Sequence, residues 1–497
     1  PWELFKYRWK ERKRERQERI EANKDKPVNP FIGFGLRMLM SVRNVSGTYS
    51  QNDGTLLPGY ANQANILGFD NGFNSTLGGF VFGRQGYDLL GRENGFDMAS
   101  RSSQRGWLVR NEDLNTQHTI SHSTNLSGRA SLEPFKDFNI ELSLNRNYTL
   151  NSSDFFRFNE TTQQFEAQSL VETANLSYST ITFGTAFAKL DNNFNSPIFI
   201  KMRQNLKDAS QLLGKENTNS FALANGYYEG YGISQQEVVL GAFIAAYSNQ
   251  SVSDKTVNPV KSTPLPNWNV NYNGLTKFKV MKKYFRNFVV RHAYSSSASV
   301  AGVQTNLNAT FDANGMPTAR DLNNNFIARD QIQNMTISER FSPLIGFDAT
   351  WIIKSGGKPQ GLLTKFEIKK DRSATLSLNN NQVTEVIGNE VVIGTGYKFT
   401  DVQLPIKKVK SSDVNVRFDM SFRDNLTVIR KVVENTNQAT AGQKIVSIKA
   451  SADYNLNQNL TLQFYYDQVI NTPKIASSFP TGNLSTGIKL SYNLGGI

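Results

Sequence analysis

Apolar and polar residues alternate strictly over long stretches of this chain. From Phe138 the apolar set runs Phe138, Ile140, Leu142, Leu144, while Asn139, Glu141, Ser143, Asn145 and Asn147 take the other phase. From Val414 it runs Val414, Val416, Phe418, Met420, Phe422 against Asn415, Arg417, Asp419, Ser421, Arg423. The pattern returns at Leu460, Leu462, Phe464, Tyr466 and at Ile488, Leu490, Tyr492, Leu494. Successive strand side chains point to opposite faces, so each stretch is a ribbon with one greasy and one wet side. No stretch is apolar or long enough for a membrane helix, whereas about ten alternating residues suit a tilted transmembrane strand.

The period predicts about sixteen strands, near 32–50, 116–132, 137–150, 168–187, 194–202, 267–279, 285–300, 330–340, 344–354, 360–369, 371–380, 384–399, 412–430, 441–456, 459–470 and 484–494. Their connections divide into a short set, including Glu133 to Lys136, Lys282-Lys283, Ser342-Pro343 and Asn457-Gln458, and a long set near 51–115, 151–167, 203–266, 301–329 and 471–483. Short periplasmic turns and long outer loops are the rule for outer-membrane barrels. The expected fold is therefore all-β, part of a large antiparallel transmembrane barrel spanning residues 31–497, in the outer membrane of a Gram-negative cell, with its termini periplasmic.

Three segments stand apart. Residues 1–30 are charged and basic, with Trp2, Phe5 and Trp9 on one helical face, and read as a periplasmic helix or linker ended by Pro27 and Pro30. Residues 51–115 form a glycine-rich stretch with neither period, opening on an Asn52-Asp53-Gly54 turn. Within 203–266, Ser234 and Glu237 resemble a capping box ahead of Val238 to Ala246, predicting a short apolar helix packed inside an extracellular loop.

The phase assigns faces. Ile140, Leu142, Leu144, Val416, Phe418, Met420, Leu462, Phe464, Ile488 and Leu490 are expected toward lipid. Glu141, Asn145, Arg417, Asp419, Arg423, Lys449, Asp453 and Lys489 are expected toward a wet lumen.

Composition narrows the reading. Hydrophobic residues are 38%, too few to surround a chain of this length but enough for one face of a barrel, and 33 Phe with 18 Tyr can furnish interfacial girdles. There is no cysteine, which removes disulfides, thiol catalysis and Cys-ligated zinc. Apart from the N-terminal run, the net charge of +13 is spread over strands and turns rather than clustered with stacking aromatics, so nucleic acid is not expected as a partner. His118 and His122 are too far apart on one strand to share a metal, Asp312-Ala313-Asn314-Gly315 lacks the ligands of a calcium loop, and no catalytic motif is present. Neither a cofactor nor an enzymatic step is expected.

Several runs carry a more specific likeness. Leu132 to Asp137 (LEPFKD), Gln236 to Tyr247 (QEVVLGAFIAAY), Pro266-Asn267-Trp268 with Gly274-Leu275, and Arg291-His292-Ala293-Tyr294 resemble the SprA/Sov family. So do Glu339 to Gly346 (ERFSPLIG), Gly394-Thr395-Gly396-Tyr397 and Phe479-Pro480-Thr481-Gly482, all in the family's order. These are outer-membrane translocons of the type 9 secretion system of Bacteroidota, linked to protein secretion and gliding motility. The resemblance implies that the chain is the C-terminal portion of a very large barrel passing folded cargo to the cell surface. It also implies partners: the N-terminal remainder of the barrel, a PorV-like cargo shuttle, a periplasmic plug, secreted cargo proteins, and outer-membrane lipid and lipopolysaccharide. The shared runs look structural and carry over no catalytic or binding residue. The alternative is a TonB-dependent-type uptake barrel with 51–115 folded into its pore.

Overall fold

A computed structural model describes residues 41–61, 97–355, 358–403, 411–456, 459–475 and 479–492. The expected helix in 1–30 lies outside these residues, as do Phe34 to Met40 of the first expected strand and most of the glycine-rich stretch. The described chain forms a 13-stranded antiparallel sheet. Its strands are β1 (Val42–Leu56), β2 (His118–Phe135), β3 (Phe138–Asn159), β4 (Gln164–Ser179), β5 (Asn267–Tyr272), β6 (Phe285–Thr305), β7 (Asp330–Ser355), β8 (Lys358–Ser377), β9 (Gln382–Val402), β10 (Ser412–Lys431), β11 (Thr436–Asn455), β12 (Leu460–Pro473) and β13 (Thr481–Tyr492). They follow chain order from β1 to β13, with one departure.

That departure is a shared lane. β4 pairs with the upper part of β3 through Arg146↔Tyr178, and β5 takes over lower down through Ser143↔Asn267. On the other side β6 meets both, through Ser179↔Ser297 and Trp268↔Tyr294. β4 and β5 are thus two halves of one strand position, interrupted by residues 180–266. The stumps are tied: the Ser179 hydroxyl donates to the Leu265 carbonyl at 2.7 Å and accepts from the Asn145 N–H at 3.1 Å.

The inserted segment holds the helices α2 (Pro197–Glu216), α3 (Gln236–Tyr247) and α4 (Asp254–Val257), with α1 (Met98–Gln104) preceding β2 and α5 (Lys279–Tyr284) before β6. The strand expected at 194–202 is a correction: Pro197 opens a helix, and Ile198, Phe199, Met202, Leu206 and Ala209 are buried at helical spacing. α3 occupies the expected place, but its cap is Gln235, whose side chain accepts the Val238 N–H at 2.9 Å, rather than Ser234. Val238 to Tyr247 are all buried, against α2 and the sheet.

Other expected breaks are continuous strand. β3 runs through 151–159 to a tight turn at 160–163, so 151–167 is not a long loop. Asn52-Asp53-Gly54 pairs in β1 instead of turning, with Asp53 opposite His122. Ser342-Pro343, a cis peptide, is an irregularity inside β7 between Phe341 and Ile345, consistent with proline having no N–H for the ladder. The expected strands 360–369 and 371–380 are both β8. Asp312 makes a plain turn, its carboxylate accepting the N–H groups of Asn314 and Met316.

Candidate functional site: the two faces of the sheet

Directly paired residues of antiparallel strands share a face, so the register carries the phase of one strand across all of them. Ile345, Ile368, Val391, Phe422, Val446 and Ile470 form one such row from β7 to β12. Below it, in steps of two residues, lie Phe347, Phe366, Ile393, Met420, Ile448, Gln468 and Leu484, and then Ala349, Thr364, Thr395, Phe418, Ala450, Tyr466 and Thr486. Trp351, Leu362, Tyr397, Val416, Ala452, Phe464 and Ile488 follow, with Phe399, Val414, Tyr454, Leu462 and Leu490 at the base. None of these residues is charged. From Val414 to Phe422 the band measures about 27 Å along the strand, at ~3.4 Å per residue. Rings gather at its lower margin: Phe135 on Phe138 at 4.5 Å, Phe285 beside Trp351 at 4.3 Å, Tyr397 beside Phe399 at 4.6 Å.

The same strands put their charges on the opposite face, and neighbours alternate in sign. One row reads Lys365, Gly394, Asp419, Lys449, Asp467; another reads Lys369, Glu390, Arg423. Lys365 lies 3.2 Å from Glu367, Lys369 3.8 Å from Glu390, Arg423 3.5 Å from Glu390, and Lys449 3.6 Å from Asp467. Arg423 on β10 also crosses β9 to reach Asp371 on β8 at 3.0 Å. Glycine at 388 permits the crossing, because a Cβ there would lie 2.6 Å from the Asp371 carboxylate and 2.8 Å from the guanidinium. Further along, this face is richer in hydroxyls and amides: Asn269 on β5 pairs with Ala293 on β6 and Ser297 on β6 with Ser338 on β7, while Asn271 pairs with Arg291 and Ser295 with Arg340. A hollow of about 840 Å³ opens here, lined from β1 to β7 by residues such as Asn44, Arg129, Glu141, Asn269, Ser295 and Arg340. Its walls come from six strands, so the sheet curls toward the polar face.

The structure therefore gathers Ile140, Leu142, Leu144, Val416, Phe418, Met420, Leu462, Phe464, Ile488 and Leu490 on one face. It gathers Glu141, Asn145, Arg417, Asp419, Arg423, Lys449, Asp453 and Lys489 on the other.

Above the row of Ile345 the apolar face changes character. The next row is Phe341, Lys370, Asn389, Asp424, Lys444 and Thr472, and over it sits the insertion. Three arginines of this face hold the insertion by its carbonyl groups. Arg146 donates to Val260 O at 3.1 Å, Arg372 to Thr185 O at 3.1 Å, and Arg430 to Phe194 O at 2.6 Å. Arg372 is paired with Glu339 at 2.7 Å and Arg430 with Glu385 at 2.7 Å, all four buried. Around them Tyr148, Leu150, Leu176, Val300, Met335 and Leu376 pack on α2 and α3. These arginines were missed from sequence, yet each sits in the apolar phase of its strand, and that misplacement is the signal that could have found them.

Between the insertion and the sheet lies a second hollow of about 500 Å³, lined by Leu150, Leu176, Leu240, Val260 and Ile332 and reached by Glu237. Burial raises the Glu237 carboxyl above its ordinary range, against a hydrogen bond from Gln235 at 3.2 Å. Burial likewise pushes the Tyr231 phenol up to about 12. At the surface, the Asn195 amide and N–H hold the Asp191 carboxyl low. His118 contacts Asp154 at 2.8 Å and His122 contacts Asp53 at 2.6 Å, so the two rings serve separate pairs. Among the described residues no group of three or more metal-ligating side chains occurs.

No family model matches this chain, and no curated protein matches it. Among solved structures it is similar to the in-vitro folded trimer form of OmpT, an outer membrane protein of Vibrio cholerae, at 9% identity over 76% of this chain and 94% of that one, with a TM-score of 0.18. A second OmpT structure gives 8% identity, 77% and 99% coverage, and the same TM-score of 0.18. At that score neither likeness bears on architecture.

Proposed function

We propose that this sheet is part of the wall of a protein-conducting outer-membrane channel, the C-terminal portion of a type 9 secretion translocon. One observation carries the membrane reading: the uncharged rows of one face back directly onto the charged rows of the other. A face free of charge over about 25 Å is what hydrocarbon requires of a barrel wall, and the polar, concave face is what a water-filled lumen requires. Rings at the lower margin fit a membrane interface. The chain's described start at Val42 and end at Tyr492 lie at the same sheet end as the Phe135–Phe138 hairpin, which we read as periplasmic. The insertion, residues 57–61 and 97–117, and the connection 306–329 lie toward the other end, which we read as extracellular.

The lumen face supports transport rather than capture. Lys365, Asp419, Lys449 and Asp467 alternate in sign across strands, and Lys449 is paired with Asp467, so the wall offsets much of its own charge and leaves little net field to bind a passing protein. No bond is made or broken in this role. The strand order ends at β1 and β13, and the remainder of the barrel would continue from them, with a cargo shuttle, a plug and secreted proteins as partners.

Site-specific photo-crosslinkers at Ser421 and at Met420 of the full-length protein test this in secreting cells. Ser421 should capture secreted proteins in transit and Met420 lipid. Capture of small solutes alone at Ser421 would favour the uptake barrel, and equal protein capture at both sites would remove the lipid face.

A further inference from the structure

Where the insertion leaves the sheet it keeps two aromatic rings in the open. Phe183 and Phe187 are 43% and 46% exposed, although each packs one side on the sheet: Phe183 lies 5.6 Å and Phe187 5.4 Å from the ring of Phe341. This exposure is held in place. Thr182 donates its N–H to the Tyr294 hydroxyl at 2.7 Å and its hydroxyl to Glu339 at 2.8 Å, and Thr185 accepts from Arg372 at 2.6 Å. The short 3-10 turn Phe183–Thr185 is thereby fixed on both flanks by buried polar bonds, with its rings outside them.

Height gives the rings a meaning. Phe341 stands in the row immediately above Ile345, which is itself 57% exposed at the top of the uncharged band. Phe183 and Phe187 cover the buried Phe341 ring, against which Leu344 packs from the side of the exposed Ile345, so the two rings stand next to the top of that band, and the Lys370 ammonium lies 5.7 Å from the centre of the Phe187 ring. Rings beside a cation at the edge of an apolar belt suit the boundary between acyl chains and headgroups.

Resting on the channel-wall reading, we infer that Phe183 and Phe187 form a lipid-seated foot by which the insertion stands in the outer leaflet. The occupant of this surface is lipid, because the rings adjoin the top of the uncharged band and stand at the first row that carries charge, beside Lys370. The insertion is then held twice, by arginines on the wall and by rings in the membrane.

Tryptophan placed at each ring reports the depth. Phe183→Trp, Phe187→Trp and, within the band, Ile393→Trp are each made in the full-length protein. They are reconstituted in phosphatidylcholine nanodiscs brominated near the glycerol or deep in the chains, and emission is read against the parent protein. Both foot variants should lose most of their added emission to the shallow bromines, and Ile393→Trp to the deep ones. If Ile393→Trp is quenched by lipid but the foot variants only by aqueous acrylamide, the foot stands in water and the inference is overturned while the wall reading survives. If the foot variants are quenched by neither, another part of the protein covers the rings and the inference again fails. Failure of lipid to quench Ile393→Trp overturns the wall reading and the foot with it.

Discussion

The lower and upper parts of the same sheet face are built on the same strands in the same phase, and they carry opposite chemistry. On β10, Val416, Phe418, Met420 and Phe422 are uncharged and partly exposed, whereas Arg430, farther up that face, is fully buried. On β8, Phe366 and Ile368 give way to Lys370 and Arg372. On the channel-wall reading, a charge below the dividing row would meet hydrocarbon and find no partner. Above it the insertion supplies carbonyl groups, and arginine becomes the means of attachment. An alternating pattern thus reports which residues share a face but not what covers it. A charge in the apolar phase marks where the cover changes.

That contrast can be broken from above. Arg430→Met removes the bond to Phe194 and leaves Glu385 buried without its partner, so destabilisation of about 3–5 kcal/mol is expected, most of it recovered when Glu385→Leu is added. Proteolysis rates of the insertion in the single and double variants measure this, and a double variant no better than the single would contradict it. From below, Phe418→Arg should cost roughly 2–4 kcal/mol of membrane stability while Ser421→Arg, on the opposite face, costs far less. Folded yield in bilayers under denaturant separates the two, and equal losses would erase the distinction between faces.

A smaller effect is expected on the polar face itself. Gly388→Val intrudes on the Arg423–Asp371 crossing, and overpacking of this kind costs typically 1–3 kcal/mol. Gly482→Val, with open space around its Cβ, is the control. The smallest effect sharpens the account of the insertion. Because burial raises the Glu237 carboxyl, the folded state binds its proton more tightly than the unfolded state, so stability is greatest below the ordinary carboxyl range and falls as pH rises through the folded value. Glu237→Gln should therefore gain on the parent between acidic and neutral pH and lose that gain on acidification. A pH-independent difference in thermal unfolding would show that Glu237 does not titrate with folding.

The two faces were legible in the sequence because alternation is local: each strand needs only its own residues to declare them. Register then aligned five separately read strands, β3 and β10 to β13, without exchanging a position between faces. What was lost was the pattern under the segments that cover the upper part of that face. Along β3, Ser152 and Asp154 turn toward covering protein while Asn151 and Ser153 turn the other way, so both phases are polar and the segment reads as a loop. Lys369 to Arg372 in β8 misled in the same way, and two strands were read where one runs. The helix at Pro197 was hidden for a different reason: its opening residues, Ile198 and Phe199, suit a strand equally well until Met202, Leu206 and Ala209 extend the period.

The shared lane of β4 and β5 separates two quantities that barrel proteins ordinarily bind together. Circumference depends on how many lanes lie side by side, and here one lane is filled from two stretches of chain whose cut ends, Ser179 and Leu265, remain hydrogen-bonded neighbours. Lengthening or replacing what lies between them adds only slowly to the entropy of closing the excursion and leaves the lane count untouched. On the channel-wall reading, the outer decoration can then diversify through changes in one segment while the bore stays the same width.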